Sequence, residues 1–269
     1  FSNKINNKLR ASITDVNDDR GFTGNPFPSI FINSFNGGPS YNIGSEISST
    51  ANVLKQSIFN LYDAFKFYTG KHAFTVGADI DLNKSYNLFI NRNFGAYTYA
   101  PLGPLPVAAN GFTPQLSPIQ AFILGRTPSG YRRSYSIVDA GNKGGDANTN
   151  AAANFKSVRL GFFINDDIQV NDNLSITVGL RADKTTFTTA APVDKFFNDT
   201  ARAVIERSWD LKGAISGERF KPSWIFSPRL GFKYKIDDEG VTVRGGVGVF
   251  AGRTPLVWPG GIYANAGNL

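Results

Sequence analysis

Residues 158–183 read VRLGFFINDDIQVNDNLSITVGLRAD. Even positions carry Val158, Leu160, Phe162, Ile164, Ile168 and Val170, with Asp166 the one polar interruption. Odd positions carry Arg159, Gly161, Phe163, Asn165, Asp167 and Gln169. After Asn171-Asp172-Asn173 the pattern resumes, with Leu174, Ile176, Val178, Leu180 and Ala182 against Ser175, Thr177, Gly179, Arg181 and Asp183. A repeat of two is the signature of a strand with one apolar and one polar face, because successive side chains leave a strand on opposite sides. Asn and Asp tolerate positive φ and bond their own backbone, so the three residues between the runs form a tight turn. The stretch is a β-hairpin.

The same signal recurs outward along the chain. Phe59, Leu61, Phe65 and Phe67 alternate toward Gly70-Lys71, and Phe74, Val76, Ala78, Ile80 and Leu82 continue beyond it. Phe226, Leu230, Phe232, Tyr234 and Ile236 run into Asp237-Asp238-Glu239-Gly240, followed by Val241, Val243, Val247 and Val249. Ile5, Leu9, Ala11 and Ile13 form a first strand, which brings the expectation to about seven. Short turns at 70–71, 171–173 and 237–240 alternate with long connections over about 15–50, 93–155 and 191–225. Loops beyond about 12–15 residues are uncommon in compact domains. Membrane barrels combine short periplasmic turns with long extracellular loops, and place apolar residues toward lipid and polar ones toward the lumen. A soluble sheet also alternates, but Gly161, Gly179, Gly231, Gly246 and Gly248 in the polar rows would weaken strands unless something approached them closely. The pattern predicts an all-β fold: an antiparallel transmembrane β-barrel segment spanning residues 1–269.

Composition narrows the chemistry. The chain of 269 residues has 28 Lys+Arg and 21 Asp+Glu, a formal charge of 28 − 21 = +7, with 13% aromatics including 23 Phe. Without Cys it has no disulfide framework, thiolate nucleophile or Cys-ligated zinc. One histidine, His72, excludes a His–His metal pair. No run approaches the roughly 20 apolar residues of a membrane-spanning helix. The chain starts at Phe1 and contains no Met, so it is expected to be processed or a piece of a longer protein.

Several segments resemble the repeated hairpins of TonB-dependent outer-membrane receptors: GFFINDDIQVNDNLSITVGLRAD at 161–183, FSPRLGF at 226–232 and VTVRGGVGVFAGRTP at 241–255. With HAFTVGADIDL at 72–82 and NFGAYTY at 93–99, the chain is most similar to the Oar-like branch. The resemblance implies a 22-stranded barrel, an N-terminal plug, and a TonB-binding segment through which an energised inner-membrane complex acts. Plug, TonB-binding segment and terminal aromatic strand are absent from these residues, so the chain is expected to be an internal arc of a larger barrel.

Enzymatic constellations are sparse. His72 has no Ser or Asp that spacing would bring to it. Asp79 and Asp81, two apart on one strand, are expected to be carboxylates balanced by Arg and Lys rather than an acid/base pair. Gly245-Gly246-Val247-Gly248 lacks the Lys-Ser/Thr of a phosphate loop. Asp15, Asn17 and Asp19 space oxygens as calcium loops begin, yet Arg20 and Pro26 stand where such a loop needs Gly and an acid. They form only a weak calcium candidate; no other metal and no cofactor is expected. The basic residues are scattered without an aromatic-interleaved patch, which disfavours nucleic acid. Candidates for lining the lumen are Arg159, Asp167, Arg181, Asp183, Arg229, Lys233 and Arg244, either paired internally or facing anionic solutes and plug carboxylates. Candidates for touching ligand, in or beside the long loops, are Tyr97, Tyr99, Tyr131, Tyr135, Trp209, Trp224 and Trp258, with loop-on-loop packing the alternative.

The leading expectation is a non-enzymatic receptor or transporter in the outer membrane of a Gram-negative bacterium. Its partners are expected to be outer-membrane lipid, an unknown extracellular ligand and, through the absent N-terminal region, the TonB complex. A non-transporting adhesin or anchor, and a soluble all-β binding module such as a lectin, are the alternatives.

Overall fold

A computed structural model describes residues 4–21, 23–101, 116–136, 150–236 and 240–264. Its strands are β1 (Ile5–Asp19), β2 (Ser29–Ile32), β3 (Tyr41–Ile43), β4 (Asn52–Thr69), β5 (His72–Phe89), β6 (Ala96–Tyr99), β7 (Gly130–Arg132), β8 (Ala153–Gln169), β9 (Leu174–Phe187), β10 (Ile225–Ile236) and β11 (Val241–Gly248). Short helices among the described residues are α1 (Pro118–Ile123), α2 (Arg202–Ile205), which continues a π-helical turn at Phe197–Ala201, and α3 (Val257–Ala264).

The alternating segments form one seven-stranded antiparallel sheet in the order β1-β4-β5-β8-β9-β10-β11, open at β1 and β11. Register follows the turns: Ile168 opposes Ile176 across the β8–β9 hairpin, and Ile236 opposes Val241 across β10–β11. Gly70 closes the β4–β5 turn at φ 56, a left-handed conformation that suits a residue without Cβ. Residues 237–239 of the last expected turn lie outside the described ones. Both β4 and β5 have 18 residues, well beyond the roughly 9–11 that cross a bilayer.

The two faces of this sheet differ in a way that decides its surroundings. On the apolar row Phe162, Ile164, Val178, Leu180, Leu230 and Phe232 are each 44–51% exposed. On the polar row Asp81 is 2% exposed, Asp183 9%, and Ser157 and Ser227 are buried. A water-soluble domain does the opposite, since covering a large apolar side chain contributes about 1.5–3 kcal/mol. Such a continuous apolar face requires a non-aqueous covering.

The chain divides into two compact units. The first, residues 1–16, 55–85 and 154–263, holds most of the long sheet. Within it, the connection around 191–225 is ordered locally: Asn198 donates to the Ser216 carbonyl at 3.0 Å while the Ser216 N–H donates back to Asn198 at 2.9 Å. Helix α3 is held by Tyr263, whose ring stacks on the buried Phe155 at 4.7 Å and whose hydroxyl donates to the Thr189 carbonyl at 2.6 Å.

The second unit comprises residues 17–54, 86–153 and 264–269. It contains a four-stranded sheet of order β3-β2-β6-β7 that the alternation does not predict. Parallel pairing of Ser29–Ile32 with Ala96–Tyr99 joins two connections expected as long loops. Ser117 caps α1 reciprocally with Gln120, and Pro118 occupies its first turn, where a missing N–H costs nothing. Ala51, Leu88, Ile90 and Ala151 form the small core of this unit.

Candidate functional site

The polar rows of β5, β8 and β9 meet in one ion cluster. Hairpin register places Gly161 opposite Asp183 and Phe163 opposite Arg181. From the neighbouring position on β8, Arg159 reaches three carboxylates: Asp79 at 2.7 Å, Asp81 at 2.8 Å and Asp183 at 2.9 Å. Arg181 bridges Asp79 at 3.0 Å and Asp183 at 2.7 Å. Asn60 on β4 donates to both Asp79 and Asp81 at 2.7 Å, and Arg253, beyond β11, lies 3.3 Å from Asp81. Three arginines thus face three aspartates, so the cluster is neutral, and its planar guanidinium forks satisfy carboxylate lone pairs in a fixed geometry. Asp79 and Asp81 are held as charge partners within this cluster.

The glycines in these rows make the space. A Cβ on Gly161 would overlap the Arg181 guanidinium. A Cβ on Gly77 would overlap the Phe163 ring, which stacks on Tyr62 at 5.7 Å. Beside the cluster lies an open cavity of about 690 Å³, lined by Asp79, Arg159, Arg181, Asp183, Phe220, Ile225, Arg229 and Arg253 among others.

The remaining lumen candidates behave differently. Asp167 accepts from Thr177 at 2.7 Å and lies 3.7 Å from Lys66. Arg229 sits 4.8 Å above the Phe250 ring. Lys233 and Arg244 are direct cross-strand neighbours. Among the described residues, no carboxylate lies within 4.0 Å of Arg229, Lys233 or Arg244.

Residues 1–267 match the family described as outer membrane beta barrel domain. The chain belongs to that family. Neither the curated proteins nor the solved structures give a significant match. Membership makes this an outer-membrane β-barrel domain, and the antiparallel sheet and its exposed apolar row agree with it. Among the described residues no helix is long and apolar enough to cross a membrane, which says nothing of a barrel that crosses with strands.

The aromatic candidates of the barrel domain separate by location. Tyr97 on β6 packs on Tyr131 of β7 at 4.7 Å, and Tyr99 meets Phe122 of α1 edge-on at 5.5 Å. Tyr135 lies under Arg133 at 5.5 Å. Trp209 and Trp258 are 73% and 71% exposed. Trp224 contacts Phe162 at 6.1 Å and Lys184 at 5.8 Å, which puts it with the apolar row rather than the polar one.

Three residues change setting once the strands are paired. Strand β1 continues through Asp15, Asn17 and Asp19, expected in a loop. Alternate side chains on a strand stand about 6.5 Å apart, wider than a calcium shell with ligands at about 2.3–2.6 Å from the ion. Among the described residues no group of three or more His, Cys, Asp or Glu converges on a possible metal position. His72 does gain a partner that spacing could not supply: its Nδ1 lies 2.7 Å from Asp166, 94 residues away. That contact accounts for Asp166 in the apolar row. Sequence reasoning also missed Arg253 and Asn60 as cluster members. Asn60 had a legible signal, since it is polar and out of phase with Phe59 and Leu61.

Proposed function

We propose that this domain is the barrel arc of a TonB-dependent, Oar-like receptor in the outer membrane of a Gram-negative bacterium. The apolar row faces lipid, and the polar row faces the lumen of a larger, 22-stranded barrel. Ligand is captured from the extracellular side, by the connections over 15–50, 93–155 and 191–225, and passes along the polar row. The TonB complex acts through a region outside these residues, and the domain itself has no catalytic role.

The observation that carries the reading is the inversion of the two faces. Apolar side chains stand exposed, whereas on the opposite face the charged groups of the β5, β8 and β9 cluster are buried or half-buried and compensated by ion pairs. Lipid against the first and a confined aqueous lumen against the second give both faces a favourable environment. A second reading, an outer-membrane anchor for adhesive loops, draws on the small sheet. Its register puts Tyr41, Tyr97, Tyr99 and Tyr131 on one face, with Tyr41 and Tyr131 46% and 51% exposed.

Two measurements test these readings. The full-length protein is expected to need detergent and to float with liposomes; monodisperse behaviour without detergent, and no flotation, would remove the membrane assignment. Deletion of the gene and loss of TonB function are expected to abolish the same solute uptake. Uptake unchanged in the TonB-deficient strain, with loss of surface adhesion on gene deletion, would instead establish the anchor.

A further inference from the structure

We infer that the cavity beside the ion cluster is a binding site for a small amphiphilic oxyanion, a carboxylate or phosphate monoester carrying a short hydrocarbon body. The inference deepens the receptor reading, on which its role in uptake rests, by naming a solute class for the same polar face.

Charge balance comes first. Arg159, Arg181 and Arg253 match Asp79, Asp81 and Asp183 one for one, so Arg229 on the same cavity wall is a surplus cation. Among the described residues Arg229 has no carboxylate within ion-pair distance and no hydrogen-bond acceptor. Its position over Phe250 at 4.8 Å orients the guanidinium without consuming its donors. Among the described residues Arg253 is engaged only through one nitrogen, at 3.3 Å from Asp81, and its side chain is 62% exposed. Two guanidinium groups with unused N–H donors therefore open on one cavity. Planar forks of this kind match carboxylate and phosphate oxygens bidentately.

Shape supplies the second half. Phe220, Pro222 and Ile225 line the same cavity, so an anion held by the arginines meets an apolar wall. Pockets that combine apolar lining with a few placed polar groups are the usual form of a small-molecule site. The volume of about 690 Å³ lies within the roughly 300–1,000 Å³ of such sites.

The test is calorimetric titration of the purified full-length protein in detergent micelles. The probes are butyl phosphate, butyrate, inorganic phosphate and n-butanol. Saturable binding of butyl phosphate or butyrate is expected, weaker for inorganic phosphate and absent for n-butanol; which anion binds tighter separates the phosphate from the carboxylate source. Arg229→Ala should weaken binding about tenfold or more, as for loss of a charge-assisted bidentate contact. Because Arg229 makes no ion pair among the described residues, this variant keeps the cluster intact, and far-UV circular dichroism confirms its fold. Arg253→Gln should weaken binding as well, while Lys8→Ala, which removes a cation elsewhere on the polar row, should not. Equal binding of butanol and butyl phosphate, or wild-type affinity in Arg229→Ala, overturns the site. Binding in micelles without any uptake defect in cells would support the site and remove only the transport reading.

Discussion

Two stretches of the same polar face treat their charges in opposite ways. Across β5, β8 and β9 every arginine of the cluster touches at least one aspartate, at 2.7–3.3 Å. Across β10 and β11, Arg229, Lys233 and Arg244 have no carboxylate among the described residues, and Lys233 directly opposes Arg244. Cations directly opposite on a sheet repel, so the second stretch holds unspent electrostatic potential where the first is neutral. The contrast separates a structural charge network from a surface able to attract anions.

The largest expected effect comes from breaking the neutral side. Arg159→Ala would leave Asp79, Asp81 and Asp183 with two arginines, and loss of one partner from a buried ionic network costs about 3–5 kcal/mol. Thermal unfolding in micelles, followed by the heat-modifiable mobility of the barrel on gels, should show a large drop. A change of a degree or two would mean that the cluster contributes little. Gly161→Val should cost less, about 1–3 kcal/mol of overpacking, because the new side chain displaces the Arg181 guanidinium. An unchanged melting temperature there would show that Arg181 moves aside freely. The smallest effect sharpens the cationic side: Lys233→Glu turns repulsion with Arg244 into a cross-strand pair worth about 0.2–1 kcal/mol. A slight gain in stability, fading in high salt, is the expected readout. A loss of stability would show that an acidic neighbour already compensates Lys233.

How much was legible follows from the distance over which each signal acts. Alternation around Phe162, Leu180 and Phe232 is local, and it located the strands and their apolar rows. The turn at Asn171-Asp172-Asn173 was equally local, since its Asn171 side chain accepts from the N–H groups of Asn173 and Leu174 at 3.0 and 2.8 Å. Arg159 and Arg181 were legible as polar-row cations, but their partners were not. Asp79 is 80 residues from Arg159, and Asp81 is 172 residues from Arg253. The small sheet was illegible for a different reason: β2 and β6 are four residues each, and the parallel pairing between them is invisible to any window along the chain.

By itself, the sequence determined which residues share a face, because side-chain direction in a strand depends only on odd or even position. It thereby set one row as apolar and the other as polar, and it determined the short turns through residues such as Gly70 and Asn171 that adopt them at little cost. Only the tertiary structure decided which cation meets which carboxylate. Strand order and register bring Asp81 and Arg159 together across the sheet, the chain beyond β11 adds Arg253, and ion-pair strength depends on ångström distances that no spacing along the chain encodes.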